Sequence, residues 1–127
     1  MMGQTSGIEK QVKCTAAIAT ANLIAKFGAD DDTMSQATAS TEDLIGIFQH
    51  TTENAGDRVR VMLSGISPLK IGGNVTRGNP ITSDANGKGV AATPGAGVNA
   101  NIIARALASG VDGDIIPVLI IQGRIQG

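Results

Sequence analysis

The apolar residues of this chain come in short runs, each closed by a polar stretch that carries glycine, a pattern that favours short β-strands. Seventeen glycines are scattered at turn-like intervals with no collagen period. Phe27 and Phe48 are the only aromatics, so any core must be built from Val, Ile, Leu and Ala in thin layers. A chain of 127 residues buries roughly two-thirds of its unfolded surface on folding, enough for one core.

The runs can be placed one by one. Residues 1–7 are polar, contain glycine and read as a flexible N-terminal arm. From Ile8 to Ala16, the residues Ile8, Val12, Cys14 and Ala16 share one parity while Glu9, Gln11, Lys13 and Thr15 take the other, as a half-buried strand requires. Leu23 to Phe27 makes a second strand, and Gly28 to Asp32 turns the chain into Thr33 to Ala39. Leu44 to Phe48 follows. The clearest alternation is Arg58 to Leu63, where Val59, Val61 and Leu63 oppose Arg58, Arg60 and Met62. Further strands are expected at Leu69 to Ile71, Pro80 to Ser83 and Gly89 to Ala92. The last two are joined through Asn86-Gly87, both of which tolerate the positive φ of a type I′ turn. Ile102 to Leu107 reads as a strand or one helical turn. Ile115 to Gln122 is apolar on both faces, and Pro117 removes a ladder donor, which predicts an edge strand or a bulge. A two-sided apolar edge strand usually sits against another chain. The expectation is one all-β domain over residues 8–127, a small β-barrel of short antiparallel strands.

An internal repeat at an offset of 57 aligns Lys13 with Lys70, Asn22 with Asn79, Ile24 with Ile81 and Ile45 with Ile102. It continues with Gly56-Asp57 on Gly113-Asp114 and Val61 on Val118. Apolar runs and turns recur in the same order, which predicts two similar meander halves about a pseudo-twofold.

Charge and motifs exclude more than they suggest. Net charge is −1 with acids and bases interspersed, and without a basic stripe or stacking aromatics no direct nucleic-acid ligand is expected. No apolar run approaches the ~20 residues of a membrane span, and the start lacks a signal-peptide layout, so synthesis in a cytoplasm is expected. The single Cys14 lies on the apolar parity of its strand and reads as a small buried hydrophobe. His50 has no second His or Cys at metal-ligand spacing, and Asp30-Asp31-Asp32 lacks the alternating ligands of a calcium loop. Gly95-Ala96-Gly97-Val98-Asn99-Ala100 matches a dinucleotide pattern, with Asp114 near the spacing of a ribose-binding acid. Thr93-Pro94 precedes it, however, and only 27 residues follow Ala100, too few for the rest of a nucleotide domain. There is no G-x-S-x-G nucleophile elbow. Arg58 and Arg60 share a strand face and suit acids on a neighbouring strand or chain. No enzyme activity, cofactor or metal is expected; a small β-barrel ligand-binding module is the alternative to a structural role.

Several segments in order carry a resemblance: Asn22-Leu23-Ile24-Ala25-Lys26-Phe27, Leu44-Ile45-Gly46-Ile47, Ala55-Gly56-Asp57-Arg58-Val59-Arg60-Val61, Gly73 to Gly78, Thr82 to Lys88, and Gly113-Asp114-Ile115-Ile116. Together, over about residues 8 to 124, they resemble the tailed-bacteriophage capsid decoration, or cement, proteins. The resemblance implies a β-barrel or β-tulip on the outer surface of the capsid, bound to the major capsid protein and bridging its subunits. It also implies a homotrimer, with a dimer as the alternative, and no active site. Ile116, Val118 and Ile120, on what reads as an uncovered second face of the last strand, are candidate interface residues. Gln122, Arg124 and Ile125 of the tail and Gln4 and Thr5 of the arm join them.

Overall fold

The computed structural model describes residues 7–127, and every regular element in that range is a strand. The ten strands are β1 (Glu9–Cys14), β2 (Ile24–Phe27), β3 (Thr33–Gln36), β4 (Leu44–Phe48), β5 (Arg58–Met62), β6 (Gly65–Lys70), β7 (Pro80–Ser83), β8 (Gly89–Ala91), β9 (Asn99–Ala106) and β10 (Ile115–Gln126). The first five close into a barrel in the order β1-β3-β2-β4-β5, and the last five form a sheet in the order β6-β10-β9-β7-β8. Ile102 to Ala106 therefore resolves as strand, within β9, and Leu107 lies just beyond it. The arm, with Gln4 and Thr5, falls outside the described residues apart from Gly7.

The offset read from the sequence is also the offset of the backbone. Adding 57 to each barrel strand gives the same strand order in the second unit, third-second-fourth-fifth-first. The fourth–fifth and second–third pairings shift register by one and three residues, but the first–fifth and second–fourth keep it: Glu9↔Met62 and Lys13↔Arg58 in the barrel become Ile66↔Leu119 and Lys70↔Ile115. Likewise Ile24↔Ile47 becomes Ile81↔Ala104. The Gly-Asp pair explains why the register is kept. Gly56 and Gly113 turn at φ +87° and +92°, in the left-handed region where only glycine is unstrained. Gly56 N–H donates to the Cys14 carbonyl at 2.7 Å, and Cys14 N–H to the Asp57 carbonyl at 3.0 Å. Gly113 and Ile71, then Ile71 and Asp114, repeat both bonds at 2.9 Å. The Asp57 carboxylate accepts Asn54 N–H at 3.0 Å, and the Asp114 carboxylate accepts Val111 N–H at 2.9 Å.

The halves differ in closure. β1 and β3 pair in parallel through Lys13↔Thr33 and Cys14↔Met34, which seals the barrel. In the second unit the matching contact is the single parallel bridge Ile71↔Gly89, since β8 spans only three residues. Sheet alternation fills the barrel with Val12, Cys14, Ala25, Met34, Val59 and Val61, and Phe48 fills the remaining space. A second cluster runs from Leu69, Ile71, Ile81, Ile103 and Val118 into Ile24, Leu44, Ile47 and Met62 of the barrel. Met62, on the same parity as Arg58 and Arg60, is thus buried, because its end of β5 is covered by the second unit. β4 and β9, which are equivalents, pack against each other across the junction.

The hairpin at Asn86-Gly87 forms with different turn chemistry from the expected type I′. Gly87 has φ +75° but Asn86 does not have positive φ. Asp84 organises the loop instead: its Oδ1 accepts Asn86 N–H and Lys88 N–H at 2.8 and 2.9 Å.

The segment between β3 and β4 ties the two units together. Asn101 N–H donates to the Ser40 carbonyl at 2.8 Å, and Asn101 Nδ2 to the Glu42 carbonyl at 2.6 Å. The Glu42 carboxylate accepts Thr38 N–H at 2.6 Å, Ala39 N–H at 3.0 Å, the Thr38 hydroxyl at 2.9 Å and Lys26 Nζ at 2.5 Å. Burial pushes its pKa up, but the bonds from Lys26 and Thr38 outweigh burial and bring it from 4.5 to about 2. The folded value lies below the unfolded one, so this stabilisation is present above pH 4.5 and is lost as pH falls toward about 2. Glu42→Gln should lose about 1–2 kcal/mol at neutral pH and flatten the acid side of the stability curve. Urea unfolding across a pH series measures both.

Candidate docking surface

The residues that could carry chemistry are occupied in holding turns and strands. His50 Nε2 accepts Arg60 N–H at 3.1 Å and its Nδ1 donates to the Thr51 carbonyl at 3.0 Å, which ties the loop after β4 to β5. Cys14 is buried, with Sγ 3.2 Å from the Thr52 hydroxyl and donating to the Asn54 carbonyl at 3.4 Å. Arg58 pairs with Asp32 at 3.2 Å and Arg60 with Glu9 at 3.8 Å, across the barrel's outer wall. The Gly95–Ala100 segment runs from the loop after β8 into the start of β9, whereas a dinucleotide site needs a helix there. Among the described residues, no group of three His, Cys, Asp or Glu is placed to hold a metal ion.

The last strand corrects the sequence reading. β10 runs between β6 and β9 and is not an edge. Pro117 accepts Leu107 N–H at 3.1 Å, just beyond the end of β9, so its missing donor falls where that ladder stops. Toward β6, Pro117 lies opposite Pro68 with its carbonyl turned to the other side, so neither ring interrupts that pairing. Ile116, Val118 and Ile120 point into the chain's own core, Val118 at 0 % exposure, and cannot form an interface. The error has a physical cause: a strand apolar on both faces gives two parities but not which one is inward. A bulge between Ile120 and Gly123 then changes the pattern. Beyond it, Gln122 Nε2 donates to the Ile45 carbonyl at 2.9 Å, Arg124 Nε donates to Asn101 Oδ1 at 3.2 Å, and Ile125 is half-buried opposite Ala100.

The exposed face of β10 is the opposite one. Ile115, 55 % exposed, pairs with Lys70; Pro117 pairs with Pro68; Leu119 pairs with Ile66, which is 43 % exposed. On the β9 side Leu119 lies opposite Arg105, and exposed Leu107 follows. The result is an apolar sheet face rimmed by Lys70 and Arg105. The repeat gives it meaning. The equivalent barrel positions are Glu9 for Ile66, Gln11 for Pro68, Arg58 for Ile115 and Arg60 for Pro117. The same backbone therefore accepts a wet, ion-paired face, so the apolar face of the second unit is not a demand of the fold. Contiguous exposed apolar patches rimmed by polar side chains are a common form of interaction site. A second feature lies at the junction, a groove of about 220 Å³ whose walls include Phe27, 56 % exposed, with Asp43, Ile45, Ile102 and Gln122. Ile45 and Ile102 are equivalents, so both units contribute the same position to the groove.

The ten strands define a small all-β protein with a five-stranded barrel joined to a second sheet of the same strand order. That fold is shared with the N base of head fiber gp8.5 of bacteriophage phi29, whose crystal structure matches with a TM-score of 0.67 at 14 % identity. The match covers 94 % of this chain and 98 % of that one. The likeness is one of fold, and it agrees with the small all-β barrel expected from the sequence. No protein family matches the chain by its sequence profile, and no curated protein matches it.

Two outcomes are expected. Ile66→Glu with Ile115→Arg installs the residues of the equivalent barrel positions, and the fold should keep its stability within about 1 kcal/mol, whereas Val118→Asp should prevent folding. Thermal unfolding followed by circular dichroism separates the cases. Native Cys14 should react with a thiol reagent at least ~100-fold more slowly than in denaturant, because labelling needs an opening of the barrel.

Proposed function

We propose that this chain is a structural protein of a tailed-phage head, a decoration or cement protein that acts by binding and not by catalysis. The observation that carries this reading is the fold shared with a phage-head fiber base over nearly the whole chain. The charged-to-apolar exchange between equivalent faces supports it, because a docking surface is where two copies of one fold are expected to diverge. In this reading the protein is made in the host cytoplasm and joins the outer surface of the capsid. Its β6–β10 face, apolar with Lys70 and Arg105 at the rim, lies against the major capsid protein, whose contact patch is apolar with carboxylates around it.

Cementing requires that one particle touch more than one capsid subunit. The homotrimer that the family resemblance implies, or a dimer, meets that need, since linked contacts raise avidity by roughly 10²–10⁴ without any single strong one. The bridge then resists the separation of subunits driven by packaged DNA or heat. Sedimentation of the free protein distinguishes trimer, dimer and monomer.

Heads carrying the protein should disrupt at a higher temperature than bare heads, and Ile66→Glu with Ile115→Arg should abolish attachment while the protein stays folded. Light scattering on heated heads at full occupancy reads the first, and pelleting with heads reads the second. Equal disruption temperatures would mean that the protein decorates without cementing. Undiminished attachment of the double variant would move the docking surface elsewhere.

A further inference from the structure

Between the β7–β8 hairpin, the start of β9 and the loop that carries Ser40 and Thr41 lies a cavity of about 260 Å³. Its chemistry differs from that of the junction groove. None of its lining residues is ionisable: hydroxyls from Thr41 and Thr93 and the Asn99 amide meet the methyl groups of Val90 and Val98. Thr82 also lines it, 4 % exposed, and its buried Oγ1 has no hydrogen-bond partner among the described residues. Strand alternation sets its direction. Ile81 packs inward with Leu69 and Gly89, so Thr82 and its cross-strand partner Val90 face the other way, toward the cavity. An unsatisfied buried hydroxyl is unfavourable, and the fold does not require this one. At the equivalent position of the barrel stands Ala25, fully buried. Thr93, Pro94 and Val98, from the loop before β9, line its outer side, and the loop is held by Gly97 N–H donating to the Gly127 carbonyl at 2.9 Å and Gly127 N–H to the Val98 carbonyl at 3.0 Å.

We propose that this cavity binds one ring of a neutral sugar, with Thr82 as the buried hydrogen-bonding group at its floor. A volume below the roughly 300–1,000 Å³ of drug-sized sites suits a single ring. The absence of charge in the lining disfavours phosphates and carboxylates, which call for charge-assisted partners. Neighbouring hydroxyl, amide and methyl groups match a ring that presents hydroxyls at its edge and C–H groups on its face. The inference stands apart from head attachment, since the cavity and the β6–β10 face share no residue and either can fail alone.

The test is amide chemical-shift perturbation on the full chain, with glucose, galactose and N-acetylglucosamine as free sugars and maltotriose as a glycan chain. Saturable shifts confined to Thr82, Val90, Thr93 and Ala100 are expected with at least one probe. Binding of maltotriose without glucose would identify a chain, and not a free sugar, as the source. Thr82→Val should weaken binding by roughly tenfold, the equivalent of one buried hydrogen bond. It should leave the melting temperature of the free protein unchanged or raised. Val98→Trp, at an exposed position on the rim, should block binding with melting unchanged, which keeps the test intact if the Thr82 variant folds poorly. The proposal is overturned if no probe moves these amides or if Val98→Trp binds as well as the parent. A Thr82→Val protein that melts lower while binding equally well overturns it too, since the hydroxyl then serves a structural water.

Discussion

The hydrogen bonds between the first strand and the Gly-Asp turn before the fifth fix the pairing of those two strands in each half. Once Cys14 is bonded to both Gly56 and Asp57, β5 must leave the turn alongside β1 in one register. That register puts Val12, Val59 and Val61 inside the barrel and leaves Arg58 and Arg60 wet. A slip of one residue would exchange those sets and bury two guanidinium groups, so the core itself enforces the register that the turn proposes. Ile71, Gly113 and Asp114 impose the same solution on β6 and β10. Two residues and a left-handed glycine thus specify the long-range pairing that a short strand could not select alone.

This constraint was legible in the sequence because it is local and repeated. The Gly-Asp pair, the Val59–Val61 alternation and the 57-residue offset each depend on residues close in the chain or on a pattern seen twice. The features that were not legible depend on contacts between halves. Met62 shares parity with two arginines, and only the presence of the second unit makes its end of β5 dry. Nothing in Ile115 to Ile120 says which apolar parity is inward, because alternation carries that information only when one face is polar. Pro117 suggested an edge; it instead marks the end of one ladder inside a sheet. Phe27 and Phe48 look alike in the sequence, yet one is at the rim of the junction groove and the other is at 0 % exposure in the barrel.

The repeat also turns the molecule into its own control. Where equivalent positions agree, as at Gly56 and Gly113, the fold requires the residue. Where they differ in chemistry while the backbone agrees, the fold is indifferent and the difference must be accounted for in another way. Glu9 against Ile66 and Arg58 against Ile115 separate a solvated wall from an apolar one. Ala25 against Thr82 separates a satisfied core position from an unsatisfied one. These are the positions on which the proposed docking face and the proposed sugar cavity rest.

An apolar sheet face beside an incompletely closed sheet carries a hazard, since an open strand edge invites pairing with another chain. The second unit limits it in a way that also sets how a partner can approach. β6 borders the open side of its sheet, but Pro68 at its middle has no N–H to offer, and Lys70 N–H already donates to the Asn22 carbonyl at 2.9 Å. Asn22 can present that carbonyl because it adopts φ +66°, a conformation that asparagine tolerates better than most residues. Continued strand addition along β6 would therefore leave ladder bonds unmade, and in a buried edge each such group is costly. The outer surface of β6 and β10 has no such block, and its side chains are free to pack against a partner. A partner that docked on β6 and β10, as proposed, would thereby be restricted to face-on contact through Ile66, Ile115 and Leu119. That proposed face shares no residue with the junction groove or with the proposed sugar cavity.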